Sequence, residues 1–113
     1  MSDACLFCRI VAGDIPADVV SERDRTLALR DIEPQAPTHV LVITREHYAD
    51  LSTLVAADPT LVAEVVAHGA QVAADDGLEA YRFVFNTGSQ AGQSVFHVHG
   101  HVLGGRPMGW PPG

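Results

Sequence analysis

Cationic side chains are scarce in this sequence: 7 Lys and Arg stand against 14 Asp and Glu, for a formal net charge of −7. No broad positive surface is available to neutralise a nucleic-acid backbone, so no polymer partner is expected. A bound phosphate has to be held locally, by histidines, backbone amides and Arg106. Long apolar runs are missing as well. No 18-residue apolar stretch is present to form a membrane-spanning helix. Residues 1–8 carry neither the basic segment nor the apolar core of a secretion signal, so a cytoplasmic protein with no membrane partner is expected. Cysteine is limited to Cys5 and Cys8. In a reducing compartment this C-x-x-C pair is a set of metal ligands, a redox pair or two ordinary small residues rather than a structural disulfide. Repeats, low-complexity tracts, linkers, a Walker loop and a dinucleotide fingerprint are all absent.

What is present fits one domain spanning residues 1–113. Hydrophobic residues make up 47% and charged residues 19% of 113 positions, enough for a single core and too little for two. Leu6, Phe7, Ile10 and Val11 fit one face of a short helix stopped at Gly13. Val19–Glu22 and Thr26–Arg30 flank Arg23-Asp24-Arg25 and read as a hairpin. After a loop carrying Pro34 and Pro37, His39-Val40-Leu41-Val42-Ile43 has the continuous aliphatic character of a central strand covered on both faces. Asp58-Pro59 offers an N-cap and a first-turn proline. Leu61, Val62, Val65, Val66, Ala70, Val72 and Ala73 then recur at helical spacing until Gly77. Residues 81–86 and 97–103 supply further strands around a polar loop. The order predicts an α+β fold with a mostly antiparallel five-stranded sheet, one long helix and one short one.

The densest chemistry lies in His97-Val98-His99-Gly100-His101. Alternation along a strand aims the three imidazoles at one face, about 7 Å apart, from twice the rise of about 3.3 Å per residue. Valines behind them predict a wet functional face. Each ring, with an ordinary pKa near 6.5, can serve as base, acid, nucleophile or ligand at neutral pH. A single histidine such as His68 on the long helix reads instead as a hydrogen-bonded structural residue. His-x-His is also compatible with a catalytic zinc, but Gly88, Ser89, Gly92, Gln93 and Ser94 just upstream can bring amides and hydroxyls up to an anion.

The run from Gly92 through the three histidines to Gly104-Gly105 resembles the signature of the histidine triad superfamily. Residues 7–16, residues 31–43 and the closing Trp110-Pro111-Pro112-Gly113 are similar to its Hint branch, the nucleoside phosphoramidases. The resemblance implies that His99 attacks the α-phosphorus of a purine nucleotide and forms a nucleotidyl-histidine. It implies that His101 supports His99, that Ser94 bonds the departing group, and that amides near Gly92, Gln93 and Ser94 stabilise phosphoryl charge. Phe7, Ile10, Ile15 and Ile32 become walls of a base pocket, Asp31 a ribose acceptor, and Asn86 a contact on the phosphate or ribose side. The implied substrates are purine nucleoside phosphoramidates or conjugates such as adenylylated lysine, and the implied assembly is a homodimer. Ser94, in place of threonine, and the Trp110 tail favour this branch over a dinucleoside polyphosphate hydrolase. A non-catalytic nucleotide-binding protein is the alternative of another class. Gly100 departs from the pattern, which carries a bulky residue such as Leu there. The expectation is unfilled volume and a strand weakened by about 0.5–1 kcal/mol.

Some bacterial members look similar in a further respect, binding structural zinc through a cysteine pair and two histidines. The equivalent set here is Cys5, Cys8, His47 and His97, a closed Cys2His2 site. His39 is the alternative ligand, or a partner near His99. No βαβ context supports a redox role for the cysteines.

Overall fold

The computed structural model describes residues 4–113. Helix α1 (Leu6–Val11) starts at Cys5, whose Sγ accepts the Cys8 amide at 3.4 Å. It gives way to Gly13 at φ 83°, a conformation that side chains resist. Strands β1 (Val19–Glu22) and β2 (Thr26–Arg30) form the expected hairpin, with the Arg23 amide donating to the Thr26 carbonyl at 3.0 Å. Strand β3 (Thr38–Thr44) is buried at all seven residues, as a continuous aliphatic strand must be. Helices α2 (Leu51–Ala57) and α3 (Pro59–Asp75) meet at Asp58, which accepts the Leu61 amide at 3.1 Å. Strand β4 (Tyr81–Phe85), a 3-10 turn at Ser89–Ala91 and strand β5 (His99–Gly104) follow.

The strands form one sheet in the order β1-β2-β3-β5-β4, antiparallel throughout. This is the expected α+β class with one additional helix, α2. Only Leu54 of α2 is buried, so no helical repeat advertises it. Its local signal is Asp50, which accepts the Thr53 amide at 2.8 Å. No helix among the described residues is long and apolar enough to cross a membrane.

Each face of the sheet carries its own cluster. Val40, Val42 and Val102 pack with Leu61, Val65 and Val72 of α3. Leu27, Leu29, Leu41 and Ile43 pack under Phe7 of α1. Because His99 pairs with Ile43 and His101 with Leu41, both rings belong to the α1 face.

Two expectations about β5 are corrected. The strand begins at His99 rather than His97. The Val98 amide donates to the Tyr48 carbonyl at 2.7 Å, and His97 Nε2 lies 2.6 Å from the Thr44 carbonyl, so His97 is drawn out of the ladder. The volume beside Gly100 is also filled. A Cβ there would lie 2.3 Å from a Phe83 ring atom and 2.6 Å from one of Phe85, and a Cβ on Gly69 of α3 would lie 2.5 Å from Phe83. Phe83 is therefore seated between two glycines, and β4 supplies the bulk that β5 lacks.

Candidate functional site

A cavity of about 660 Å³ opens on the α1 face, between α1, the start of the β2–β3 loop and residues 92–95. Phe7, Ile10, Ile15, Asp31, Ile32, His39, Gly92, Ser94, His99 and His101 all line it. Sequence separation hid none of these. Gln35, Arg30 and Val95 also contribute to the wall. Gln35 was legible only in hindsight, as a loop residue four positions before His39.

Other expected residues lie elsewhere. Arg106 donates to the Gln35 and Pro107 carbonyls, each at 3.0 Å, so it braces the loop and does not line the cavity. Gln93 is buried: its Oε1 accepts the Gly88 amide at 2.9 Å, and its Nε2 donates to the carbonyls of Ala49 at 2.7 Å and Val95 at 3.1 Å. The Gly92 and Gln93 amides donate within the loop, to Ser89 and Gly88. Asn86 stands next to Gly92, its Nδ2 3.6 Å from where a Cβ would be, and is outside the cavity wall. The one arginine on the wall, Arg30, is forked onto Asp76 at 3.1 and 3.2 Å.

Two of the three histidines are withdrawn from solvent, and His101 is half-buried. His97 is fully buried and His99 is 9% exposed, because the Phe7 ring stands edge-on to both, at 5.9 and 5.0 Å. The His99 and His101 rings approach to 4.9 Å between centroids, inside the backbone spacing, because they tilt toward each other.

Fixed acceptors assign the tautomers. His99 Nδ1 lies 2.7 Å from the His97 carbonyl, so Nδ1 carries the proton and Nε2 the lone pair. Burial is the main influence on its pKa and pushes it below the ordinary value, against the opposing pull of that hydrogen bond and of Asp31. On the other side, the Gln35 amide donates to His39 Nδ1 at 3.0 Å, which puts the His39 proton on Nε2. That nitrogen is 2.9 Å from His101 Nδ1 and 3.4 Å from Asp31 Oδ2. His101 then carries its own proton on Nε2. Burial, followed by His99 and His39, lowers its pKa to about 4. Burial lowers His39 too, while Asp31 opposes. His39 thus serves His101 rather than His99.

Behind the cavity, Cys5, Cys8, His47 and His97 bring their ligand atoms within 4.8 Å of one another. His97 Nδ1 is 3.4 Å from Cys5 Sγ, 3.5 Å from Cys8 Sγ and 3.2 Å from His47 Nδ1, and Cys8 Sγ is 3.3 Å from His47 Nδ1. A tetrahedral zinc with bonds of about 2.05 Å to nitrogen and about 2.3 Å to sulfur separates its ligands by about 3.3–3.8 Å, so the donors fit such an ion. Nε2 of His97 faces the Thr44 carbonyl and fixes the ring with Nδ1 toward the cluster.

The family model for the HIT domain matches residues 12–108. An uncharacterized HIT-like protein of Synechococcus elongatus is 46% identical over 114 residues, covering 100% of both chains. A HIT family hydrolase from Legionella pneumophila superposes with a TM-score of 0.92 at 49% identity, over 96% of this chain and 99% of that one. A zinc-bound histidine triad family protein from Mycobacterium smegmatis superposes with a TM-score of 0.81 at 35% identity, over 91% and 76%.

Proposed function

The chain belongs to the HIT-domain family, and on that footing we propose that it is a nucleotide hydrolase cleaving purine nucleoside phosphoramidates and related nucleotidyl conjugates. The observation that carries this reading is the His99 tautomer: Nδ1 is committed to the His97 carbonyl at 2.7 Å, which leaves an unprotonated Nε2 on a ring lining the cavity. A neutral imidazole held in this way is a nucleophile at neutral pH.

In the proposed reaction the base lies against Phe7, Ile10, Ile15 and Ile32, and Asp31 accepts from the ribose hydroxyls. Ile32 is 95% exposed, and covering such a side chain contributes up to about 1.5–3 kcal/mol. His99 Nε2 attacks the α-phosphorus as the P–N bond breaks. The departing amine takes a proton from solvent, with Ser94 as its hydrogen-bond partner, while the Nε2 proton of His101 bonds a phosphate oxygen. Water then attacks the nucleotidyl-histidine and gives up a proton to solvent, releasing a nucleoside monophosphate and free His99. Substrate plus water yields amine plus nucleotide.

Cys5, Cys8, His47 and His97 would hold zinc as a four-ligand structural ion, and its contribution would be to tie α1 to the segments flanking β3 and β5. The donor distances and the zinc-bound mycobacterial relative support this assignment. A homodimer acting in the cytoplasm completes the proposal.

The test is incubation with adenosine 5′-phosphoramidate, following AMP release and seeking a covalent nucleotidyl adduct by mass spectrometry. His99→Ala is expected to lose turnover and keep nucleotide binding. Equal rates in parent and variant would remove His99 as the nucleophile, and binding without turnover in either would make the protein a non-catalytic nucleotide binder.

A further inference from the structure

Arg106 stands two residues beyond β5, exposed and off the cavity wall, yet its Nε donates to the Gln35 carbonyl at 3.0 Å, across 71 positions of sequence. That bond lands on the segment joining Asp31 to His39, two residues of the cavity wall. The segment is held from several sides. Pro34 and Pro37 fix their own φ angles. A Cβ on Gly105 would lie 2.9 Å from Pro37 Cβ, so the bare backbone beside Arg106 closes on the same loop at a second point. Within the loop, Gln35 Nε2 donates to the Glu33 carbonyl at 3.0 Å and the Glu33 amide to Asp31 Oδ1 at 2.8 Å.

The peptide groups on either side of the Gln35 Cα work in opposite directions. The carbonyl accepts from Arg106, and the amide donates to His39 Nδ1 at 3.0 Å. With Nδ1 occupied, the His39 proton sits on Nε2, 2.9 Å from His101 Nδ1 and farther, at 3.4 Å, from Asp31 Oδ2. A His39 protonated on Nδ1 would instead turn a lone pair toward His101. His101 would then carry its proton on Nδ1 and show the phosphate a lone pair in place of a donor.

We propose that Arg106 is a positioning residue: its Nε–H fixes the Gln35 peptide and, through Gln35 and His39, keeps the His101 proton on Nε2, facing the phosphate. Arg106 itself touches no substrate. The tautomer pattern stands on the hydrogen bonds alone, and its effect on turnover rests on the phosphoramidase reading above. The role requires a donor at the Nε position and not a positive charge. Glutamine places its Nε2 as many bonds from Cα as arginine places Nε, whereas lysine keeps the charge with a carbon at that point and methionine supplies neither.

Long-range 15N–1H spectra of labelled protein at neutral pH report which nitrogen of each histidine ring is protonated. The parent is expected to show Nε2–H at His39 and His101 and Nδ1–H at His99. Arg106→Met is expected to mix the tautomers of His39 and His101 and to leave His99 unchanged, because the His97 carbonyl holds it. It should also lower kcat for adenosine 5′-phosphoramidate about tenfold, with a smaller change in KM, as misplacement of a group in the site does. Arg106→Gln is expected to restore both readouts and Arg106→Lys neither. Adding Arg106→Met to His39→Gln should lower kcat no further, since the two act in one chain. Melting curves check that each variant is folded, and the parent spectrum needs no variant. Nδ1–H at His39 in the parent, or unmixed tautomers in Arg106→Met, overturns the proposal whatever the kinetics. Rescue by Arg106→Lys and not by Arg106→Gln overturns it in favour of a direct charge effect. A parent that turns over no phosphoramidate overturns the phosphoramidase reading, while the tautomers still decide the role of Arg106.

Discussion

Gly100→Ala should destabilise this protein, although replacing glycine inside a strand ordinarily does the opposite by about 0.5–1 kcal/mol. The added methyl would sit 2.3 Å from Phe83 and 2.6 Å from Phe85, where ordinary carbon contacts lie near 3.5–4.0 Å. Phe83 has no retreat toward α3, because it is already lodged in the hollow of Gly69. Overpacking of this kind costs about 1–3 kcal/mol, so after the backbone gain the net loss is about 1–2 kcal/mol. For a domain of this size that lowers Tm by about 5–15 °C. Thermal and urea denaturation followed by circular dichroism would measure it, with an unchanged m-value certifying a stability effect. Phe83→Leu in the same chain should shrink the penalty by at least half, since residues in contact couple in a double-mutant cycle. A Gly100→Ala protein as stable as its parent, or one whose loss is indifferent to Phe83→Leu, would refute the packing argument.

Three further outcomes can be checked. Purified protein should carry about one zinc per chain, and Cys5→Ser or Cys8→Ser should abolish it and lower Tm; an ion present at 100 times its Kd contributes about 2.7 kcal/mol, and equal melting of zinc-free and zinc-loaded parent would count against the site. His68 is fully buried between Thr26 Oγ1 at 2.7 Å and Ser21 Oγ at 2.9 Å, and burial, followed by Arg23 and Arg45, lowers its pKa. The unfolded chain therefore takes up the proton first as pH falls below about 6.5, so its share of stability, present above that pH, is lost on acidification by at most about 1.4 kcal/mol per pH unit. His68→Gln should flatten the urea midpoint between pH 7 and pH 5, and an unaltered slope would contradict this. Asp31→Ala should raise KM about tenfold or more for a ribonucleotide substrate, from loss of a charged hydrogen-bond acceptor worth about 1.5–3 kcal/mol, and an unchanged KM would remove Asp31 from ribose recognition.

The sequence made the periodic elements readable and the tertiary exceptions unreadable. Strand β3 announces itself because all seven of its residues are buried, and α3 because one face recurs over 17 residues. Helix α2 buries a single leucine, so nothing repeats. The alternating histidines correctly placed His99 and His101 on one face, yet alternation could not reveal that Tyr48 and Thr44 pull His97 and Val98 away from the ladder. Nor could it reveal that Phe7 covers the rings. Along β5 alone Gly100 reads as a void, whereas the side chains that fill it, Phe83 and Phe85, come from β4. Arg106 and Gln93 looked like anion contacts by type, but each satisfies backbone carbonyls that its own loops would otherwise leave bare.

The long spans between partners decide when in the life of the chain this site can exist. His39 and His101 are 62 positions apart, and Cys5 and His97 are 92 apart. During synthesis, a ribosome-bound chain that has displayed α1, the hairpin, β3 and both longer helices still has neither His99 nor the fourth member of the Cys2His2 set. Strand β5 must emerge and insert between β3 and β4 before either is complete. Contacts of such separation close slowly, so the edges of β3 and β4 that flank β5 wait unpaired for the last strand. Truncation shortly before residue 97 would remove both centres in one stroke, leaving two cysteines and His47 beside an open sheet edge of the kind that recruits other chains.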